Sequence, residues 1–235
     1  PAVKVNPYWR FSSDGVVITD PRRPYVPVSN HESYADIFLI SHLPWEMKWL
    51  AKDTLFRIPC MGWTMRLAGD IPVRRGVRGS ALAALAACRD RLEKRVSVMI
   101  FPEGTRSKGG DLLPFKDGAF ALAVEAGAPI LPIVVAGTRH ATAKHSFRFR
   151  SARAIARALP PIPVDGLTSS DVPPLLPRGQ KARRRAAGFL RRHAFWLFYR
   201  LVLFRRRLPP VLFRLRLRRG RVGEPVDQRP RTQLC

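Results

Sequence analysis

Acidic residues are scarce in this chain: 17 Asp and Glu stand against 42 Lys and Arg, a formal net charge of +25. So large an imbalance points to an anionic partner: a phospholipid surface, nucleic acid or a polyphosphate substrate. Cysteine is scarce too. Cys60, Cys88 and Cys235 have no metal-ligand spacing and make no even framework, which excludes a disulfide-stapled scaffold and fits a reducing compartment. Long apolar runs are missing. No window of about 20 apolar residues occurs, so no transmembrane helix is expected. A signal-peptide pattern is also lacking, and the chain opens on Pro1 rather than methionine, as if an N-terminal portion had been removed or omitted.

What remains is ample for a folded core. The 235 residues are 46% hydrophobic, a globular composition with length for one domain plus an appendage. The charge is unevenly spread. From Pro174 onward, 18 Lys and Arg face only Glu224 and Asp227, for a net +16. The composition changes abruptly there. This predicts a domain over residues 1–173 and an Arg- and aromatic-rich tail over 174–235.

Within the first part, apolar runs alternate with helical patterns. Tyr25–Val28, Lys48–Lys52, Val96–Phe101 and Pro129–Val135 read as strands. Pro27 pushes the first towards an edge or a bulge. Helices are expected over Trp63–Leu67, Ser80–Arg95 and Ala119–Glu125, the second with Leu82, Leu85 and Leu92 on one face. Tyr8, Trp9 and Phe11 suggest an edge element of the core. Phe147–Arg150 alternates like an exposed strand, and Ser151–Leu159 reads as helix or strand. His140 and His145 receive no role. The alternation predicts an α/β fold: a single layered domain whose mostly parallel or mixed central sheet is flanked by helices, followed by the basic tail.

Three polar clusters punctuate this frame. At the end of the Val96–Phe101 run, Pro102 is followed by Glu103, Gly104, Thr105 and Arg106. Strand ends are where α/β folds place their chemistry, although the same composition makes an ordinary salt-bridged turn. Upstream, His31 falls before a predicted helix and Asp36 falls inside its first turn. The ring can fold back onto the carboxylate, leaving its other nitrogen to take a proton from a hydroxyl. A capping box, Ser33-x-x-Asp36, is the alternative for the same residues. Between these clusters, Arg74 and Arg75 end a short apolar element and suit a phosphate or a solvated turn.

Taken together, these segments resemble the glycerolipid acyltransferase family, specifically its 1-acyl-sn-glycerol-3-phosphate (lysophosphatidate) acyltransferases. Asn30, His31, Ser33 and Asp36 match its first motif. Gly69, Ile71, Val73 and Arg75 match the second, with Arg74 where Asp is common and an unusual Pro72. Phe101 to Ser107 match the third without a change, and Pro129 to Val134, with Pro132, match the fourth. Lys116 and Gly118 resemble a further Phe-Lys-x-Gly element. The similarity covers roughly residues 8 to 173.

The resemblance implies acyl transfer from acyl-CoA or acyl-carrier protein to the sn-2 hydroxyl of 1-acylglycerol 3-phosphate, giving phosphatidic acid. It assigns catalysis to His31 and Asp36 and acceptor binding to Arg75, Glu103, Gly104, Thr105 and Arg106. No metal or bound cofactor is implied; the acyl thioester is a co-substrate. No Ser or Cys lies in a nucleophile-elbow pattern, in keeping with direct transfer. Glu103 anchors either the arginines or a glycerol hydroxyl, and backbone amides near the first or second motif are the expected oxyanion donors. Expected partners are the acyl donor, lysophosphatidic acid and an anionic membrane surface on the cytoplasmic face, bound peripherally, with no nucleic acid. Another acceptor, such as glycerol 3-phosphate or a different lysolipid, and a non-catalytic membrane- or nucleic-acid-binding role are the competing readings. The tail reads equally as an interfacial lipid-docking segment or as the product of a GC-rich gene read out of frame.

Overall fold

The computed structural model describes residues 2–3, 8–20, 22–107, 113–142 and 150–172. The expected tail, His145 and most of the Phe147–Arg150 strand lie outside the described residues. The described chain alternates as predicted. Strands β1 (Ala2–Val3), β2 (Trp9–Gly15) and β3 (Val26–Ser29) lead to helix α1 (Ala35–Ile40) and strand β4 (Met47–Lys52). Then come a 3-10 turn (Asp53–Arg57), α2 (Met61–Leu67), β5 (Ile71–Val73), α3 (Arg78–Glu93), β6 (Ser97–Met99), α4 (Gly118–Glu125), β7 (Ile130–Ala136) and β8 (Ala152–Ala158). The segment that read as helix or strand is therefore a strand. Its Ala-rich sequence is drawn into the ladder between β2 and β7.

Two ladders form, β1-β2-β8-β7-β3 and β5-β4-β6. They meet where β3 runs parallel to β6: Ile100 N–H donates to Pro27 O at 3.0 Å and Val98 N–H to Tyr25 O at 3.2 Å. Pro27 thus sits in the interior of the sheet, contrary to the edge position its lack of an N–H suggests. Its carbonyl faces β6, so the missing donor deletes one rung on that side, and the β3–β6 junction is reduced to an isolated bridge at Val28 and Ile100. The chain tolerates this because the other side of β3 pairs with β7 over four residues.

Alternation along the strands divides the core between the two faces of the sheet. Val26, Val28, Val98, Ile100 and Ile130 pack with α3 and α4. Met99, Leu131, Ile133 and Val135 pack with Leu39 and Ile40 of α1 and with Trp9 and Phe11 of β2. Burial on both faces is why these strands read as continuous apolar runs. Trp9 and Phe11 are 4% and 1% exposed and stack at 5.0 Å, so this N-terminal element is integral to the core.

Helix α3 buries only part of the expected face, Leu92 fully and Leu85 in part. Ala84, Cys88 and Leu92 face the sheet, whereas Leu82 is 60% exposed. Spacing of four keeps residues on one face, while ten residues from Leu82 to Leu92 carry the chain well round the helix. Burial pushes the Cys88 thiol up to about 12, out of reach of thiolate chemistry. Native protein treated with iodoacetamide is therefore expected to be alkylated at exposed Cys60 and spared at Cys88 until it is unfolded. Peptide mapping of the labelled protein checks this, and rapid native labelling of Cys88 would contradict it.

Candidate active site

Strands β3, β4, β5, β6 and β7 run parallel, so their C-terminal ends share one edge of the sheet. The loop after β3 is seated on that edge by Asn30. Its side-chain Nδ2–H donates to Val135 O and its Oδ1 accepts Val135 N–H, both at 2.8 Å. The β3–β7 register ends at Ser29 and Ile133, so the amide supplies the next rung of the ladder from a side chain.

His31 follows at once and is held on every side. Its ring stacks on Phe101 at 4.1 Å, and Phe101 in turn lies 5.9 Å from the Trp49 ring of β4. Its carbonyl accepts Ser107 N–H at 3.0 Å. Nδ1 lies 2.9 Å from Asp36 Oδ2. With Nδ1–H donating to that carboxylate, Nε2 carries the lone pair and has no partner among the described residues. The side chain is 11% exposed, while that of Asp36 is fully buried.

Asp36 serves both alternatives that its sequence left open. The same Oδ2 accepts Glu32 N–H at 2.7 Å and Ser33 N–H at 2.9 Å, so the carboxylate closes the turn into α1 while it orients His31. The serine half of the box is diverted. Ser33 Oγ accepts Ala35 N–H at 3.3 Å and pairs with the Thr142 hydroxyl, tying the loop to the chain after β7. Asp36 Oδ1 is buried without a partner among the described residues.

The loop after β6 meets this group from the other strand. Glu103 is 5% exposed. Its Oε1 accepts His31 N–H at 3.3 Å and its Oε2 accepts Leu113 N–H at 3.2 Å, so it binds backbone on both sides of the site. Gly104 turns the chain at a φ of +68°, a left-handed conformation that favours glycine. A side chain there would also press on Lys116 Cε at 3.1 Å. Thr105 is exposed. The Arg106 guanidinium lies over the Tyr34 ring at 4.0 Å, and its buried Nη1 has no partner among the described residues. Arg75 stands apart, in the exposed turn after β5, with no ion pair among the described residues. Its neighbour Arg74, which occupies a position where Asp is common, lies 3.5 Å from Asp53 Oδ2.

The structure therefore brings His31, Asp36, Glu103 and the Gly104–Arg106 turn together, and leaves Arg75 in the turn after β5, with β4 between that strand and β6. Four contributors received no role from the sequence: the Phe101 ring under His31, Tyr34 under Arg106, the Asn30 amide, and Lys116 over Gly104. Asn30, Phe101 and Lys116 lie in the matched motifs, but what each side chain touches emerges only from the folded chain, since each contact joins segments separated in the sequence.

Residues 15–136 match the family model described as Acyltransferase. The chain is 41% identical over 160 residues to the human 1-acyl-sn-glycerol-3-phosphate acyltransferase alpha, covering 67% of this chain and 56% of that protein. A chloroplastic relative from Brassica napus, 1-acyl-sn-glycerol-3-phosphate acyltransferase BAT2, is 38% identical over 138 residues, 58% of this chain and 40% of its own length. The chain thus spans about half the length of the curated relatives it matches. Among solved structures, the 1-acyl-sn-glycerophosphate (LPA) acyltransferase PlsC from Thermotoga maritima superposes with a TM-score of 0.66 at 28% identity, over 77% of this chain and 72% of that one. All four sequence motifs fall within, or end inside, the matched region that carries the His31–Asp36 pair, and on this ground the chain belongs to the acyltransferase family.

Proposed function

We propose that this protein transfers an acyl group from a thioester donor, acyl-CoA or acyl-carrier protein, to the sn-2 hydroxyl of 1-acylglycerol 3-phosphate, yielding phosphatidic acid. The observation that carries this reading is the His31 ring, fixed by Asp36 at Nδ1 and by Phe101 beneath, with Nε2 left to act as a base. His31 Nε2 takes the proton as the acceptor oxygen attacks the thioester carbonyl. Asp36 holds the tautomer and stabilises the imidazolium that forms. Collapse of the tetrahedral adduct breaks the C–S bond, and the imidazolium returns its proton to the departing sulfur. An ester and a free thiol result, with no covalent enzyme intermediate and no metal or cofactor needed.

Arg106 pairs with the acceptor phosphate through its guanidinium, with Gly104 and Thr105 forming the turn against which that group rests and Arg75 approaching from the turn after β5. Glu103 contributes by holding the backbone that carries His31. Residues 1–173 are proposed to form the catalytic domain. The basic segment 174–235 is proposed to hold it at an anionic membrane surface, on the cytoplasmic face, where donor and acceptor meet.

Thiol release from acyl-CoA and from acyl-carrier protein, measured with 1-acylglycerol 3-phosphate, glycerol 3-phosphate and lysophosphatidylcholine as acceptors, tests the assignment. Turnover should require the phosphomonoester lysolipid; His31-independent release, or equal rates with all acceptors, would contradict it. Within the same assay, Arg106→Ala is expected to raise the acceptor KM about 10- to 100-fold, as losing a charge-assisted pair predicts. The donor KM should stay nearly constant. Equal effects on both substrates would remove Arg106 from the phosphate site.

A further inference from the structure

The connection between β4 and β5 is built in an unusual place. Strand β5 begins at Ile71, opposite Leu50, only two residues before β4 ends. Asp70 Oδ1 already accepts Trp49 N–H at 2.9 Å. Residues 53–70 therefore leave the C-terminal end of β4 and rejoin the sheet at nearly the same level, so the hairpin of the 3-10 turn and α2 is rooted at the C-terminal edge. That is the edge that carries His31 and Phe101.

The hairpin is internally rigid. Gly62 packs so closely on the 3-10 turn that a Cβ would lie 2.1 Å from Phe56 O. Its outer face is apolar and uncovered by the described residues. Ile58 is 44% exposed, Met61 40%, Trp63 62% and Leu67 89%. Trp63 and Leu67 are four residues apart and share one face of α2. Cations flank this face. A cavity of about 360 Å³ beside the hairpin is lined by Arg57, Arg66, Arg74 and Arg91 against Asp53 and Asp70. Apolar side chains at a tip, with arginines in excess behind them, match a surface of acyl chains beneath anionic headgroups.

We propose that the 53–70 hairpin is a docking element for an anionic lipid surface. Trp63 and Leu67 enter the acyl boundary, while the arginine-lined cleft receives lipid phosphates. Docking here brings the catalytic edge to face the membrane, independently of the basic tail. The docking itself does not require the proposed reaction; its benefit to turnover on lipid-borne acceptor rests on that reading.

The test uses the full chain and vesicles of phosphatidylglycerol or phosphatidylcholine in a sedimentation assay. Trp63→Ser with Leu67→Ser is expected to weaken partitioning onto phosphatidylglycerol about tenfold or more, in line with the apolar area withdrawn. Arg57→Gln with Arg66→Gln should reduce the preference for phosphatidylglycerol over phosphatidylcholine. Brominated lipid should quench wild-type tryptophan fluorescence, and Trp63→Phe should abolish the largest part of that quenching, a readout that leaves the apolar face intact. Unchanged partitioning of the double serine variant, or quenching unaltered by Trp63→Phe, overturns the proposal. So does self-association of the wild type that the serine variant loses, since the face would then belong to a second copy. On a short-chain acceptor dissolved as monomer, the serine variant should retain wild-type kcat/KM while losing rate on vesicle-borne acceptor. A wild type inactive on both would refute the proposed reaction and still leave vesicle binding to decide the docking.

Discussion

His31→Ala is expected to lower kcat/KM for thiol release about 10³-fold or more, because general-base assistance is removed and no neighbouring group replaces it. Glu103 cannot serve, since its carboxylate oxygens accept the backbone N–H groups of His31 and Leu113. Asp36 cannot either, being fully buried behind the ring. The fold should survive. The backbone bonds of residue 31 to Glu103 and Ser107 do not involve the ring; its stacking on Phe101 and its bond to Asp36 are lost, while Asp36 Oδ2 keeps the Glu32 and Ser33 N–H groups. Stopped-flow thiol detection alongside circular dichroism checks both halves. A folded variant that retains a tenth of the wild-type rate would remove His31 from the chemistry.

Asp36→Asn produces a loss of comparable size by a different route. The amide can present its oxygen to the N–H groups of Glu32 and Ser33, so the turn into α1 persists. The same oxygen still accepts Nδ1–H, so the ring keeps its tautomer, but the neutral amide no longer stabilises the imidazolium that forms as Nε2 takes the proton. The expected fall in kcat is about 10²- to 10⁴-fold with acceptor KM nearly unchanged, the pattern of an interaction made in the transition state. Asp36→Ala should be worse folded as well, because two buried N–H groups lose their acceptor at about 1–3 kcal/mol each. Urea midpoints separate the two variants. An asparagine variant within threefold of wild type would show that Asp36 is only a cap.

Much of this was legible in the sequence, because the apolar runs are short and punctuated. Val96–Phe101, Lys48–Lys52 and Pro129–Val135 became β6, β4 and β7 with small boundary shifts. The His31–Asp36 contact was also legible, since a residue just before a helix can reach a carboxylate in its first turn. Pro27 misled because an edge preference concerns one side of a strand, and its other side pairs fully with β7. Leu82 misled because hydrophobicity outweighed spacing: the small residues Ala84 and Cys88 fit against the sheet better than a second leucine stripe. The turn after β6 was half legible. Gly104 to Arg106 follow the strand as the run Val96–Phe101 implied, yet Tyr34, which carries the Arg106 guanidinium, becomes visible only when two loops are brought together. The helix expected over Trp63–Leu67 is present as α2, but the excursion of residues 53–70 from the sheet was not legible, because it follows from the register of β5 on β4.

The Asn30 amide has a further consequence. It needs a donor and an acceptor at the same tip, one for each half of the Val135 peptide. Aspartate would offer two acceptors to a carbonyl, leucine neither group, and glutamine would overshoot by a methylene. His31, the proposed general base, is therefore levelled against a strand 105 residues away rather than against its own loop. Its height above the sheet is a dimension of the core, inherited from how β7 lies beside β3.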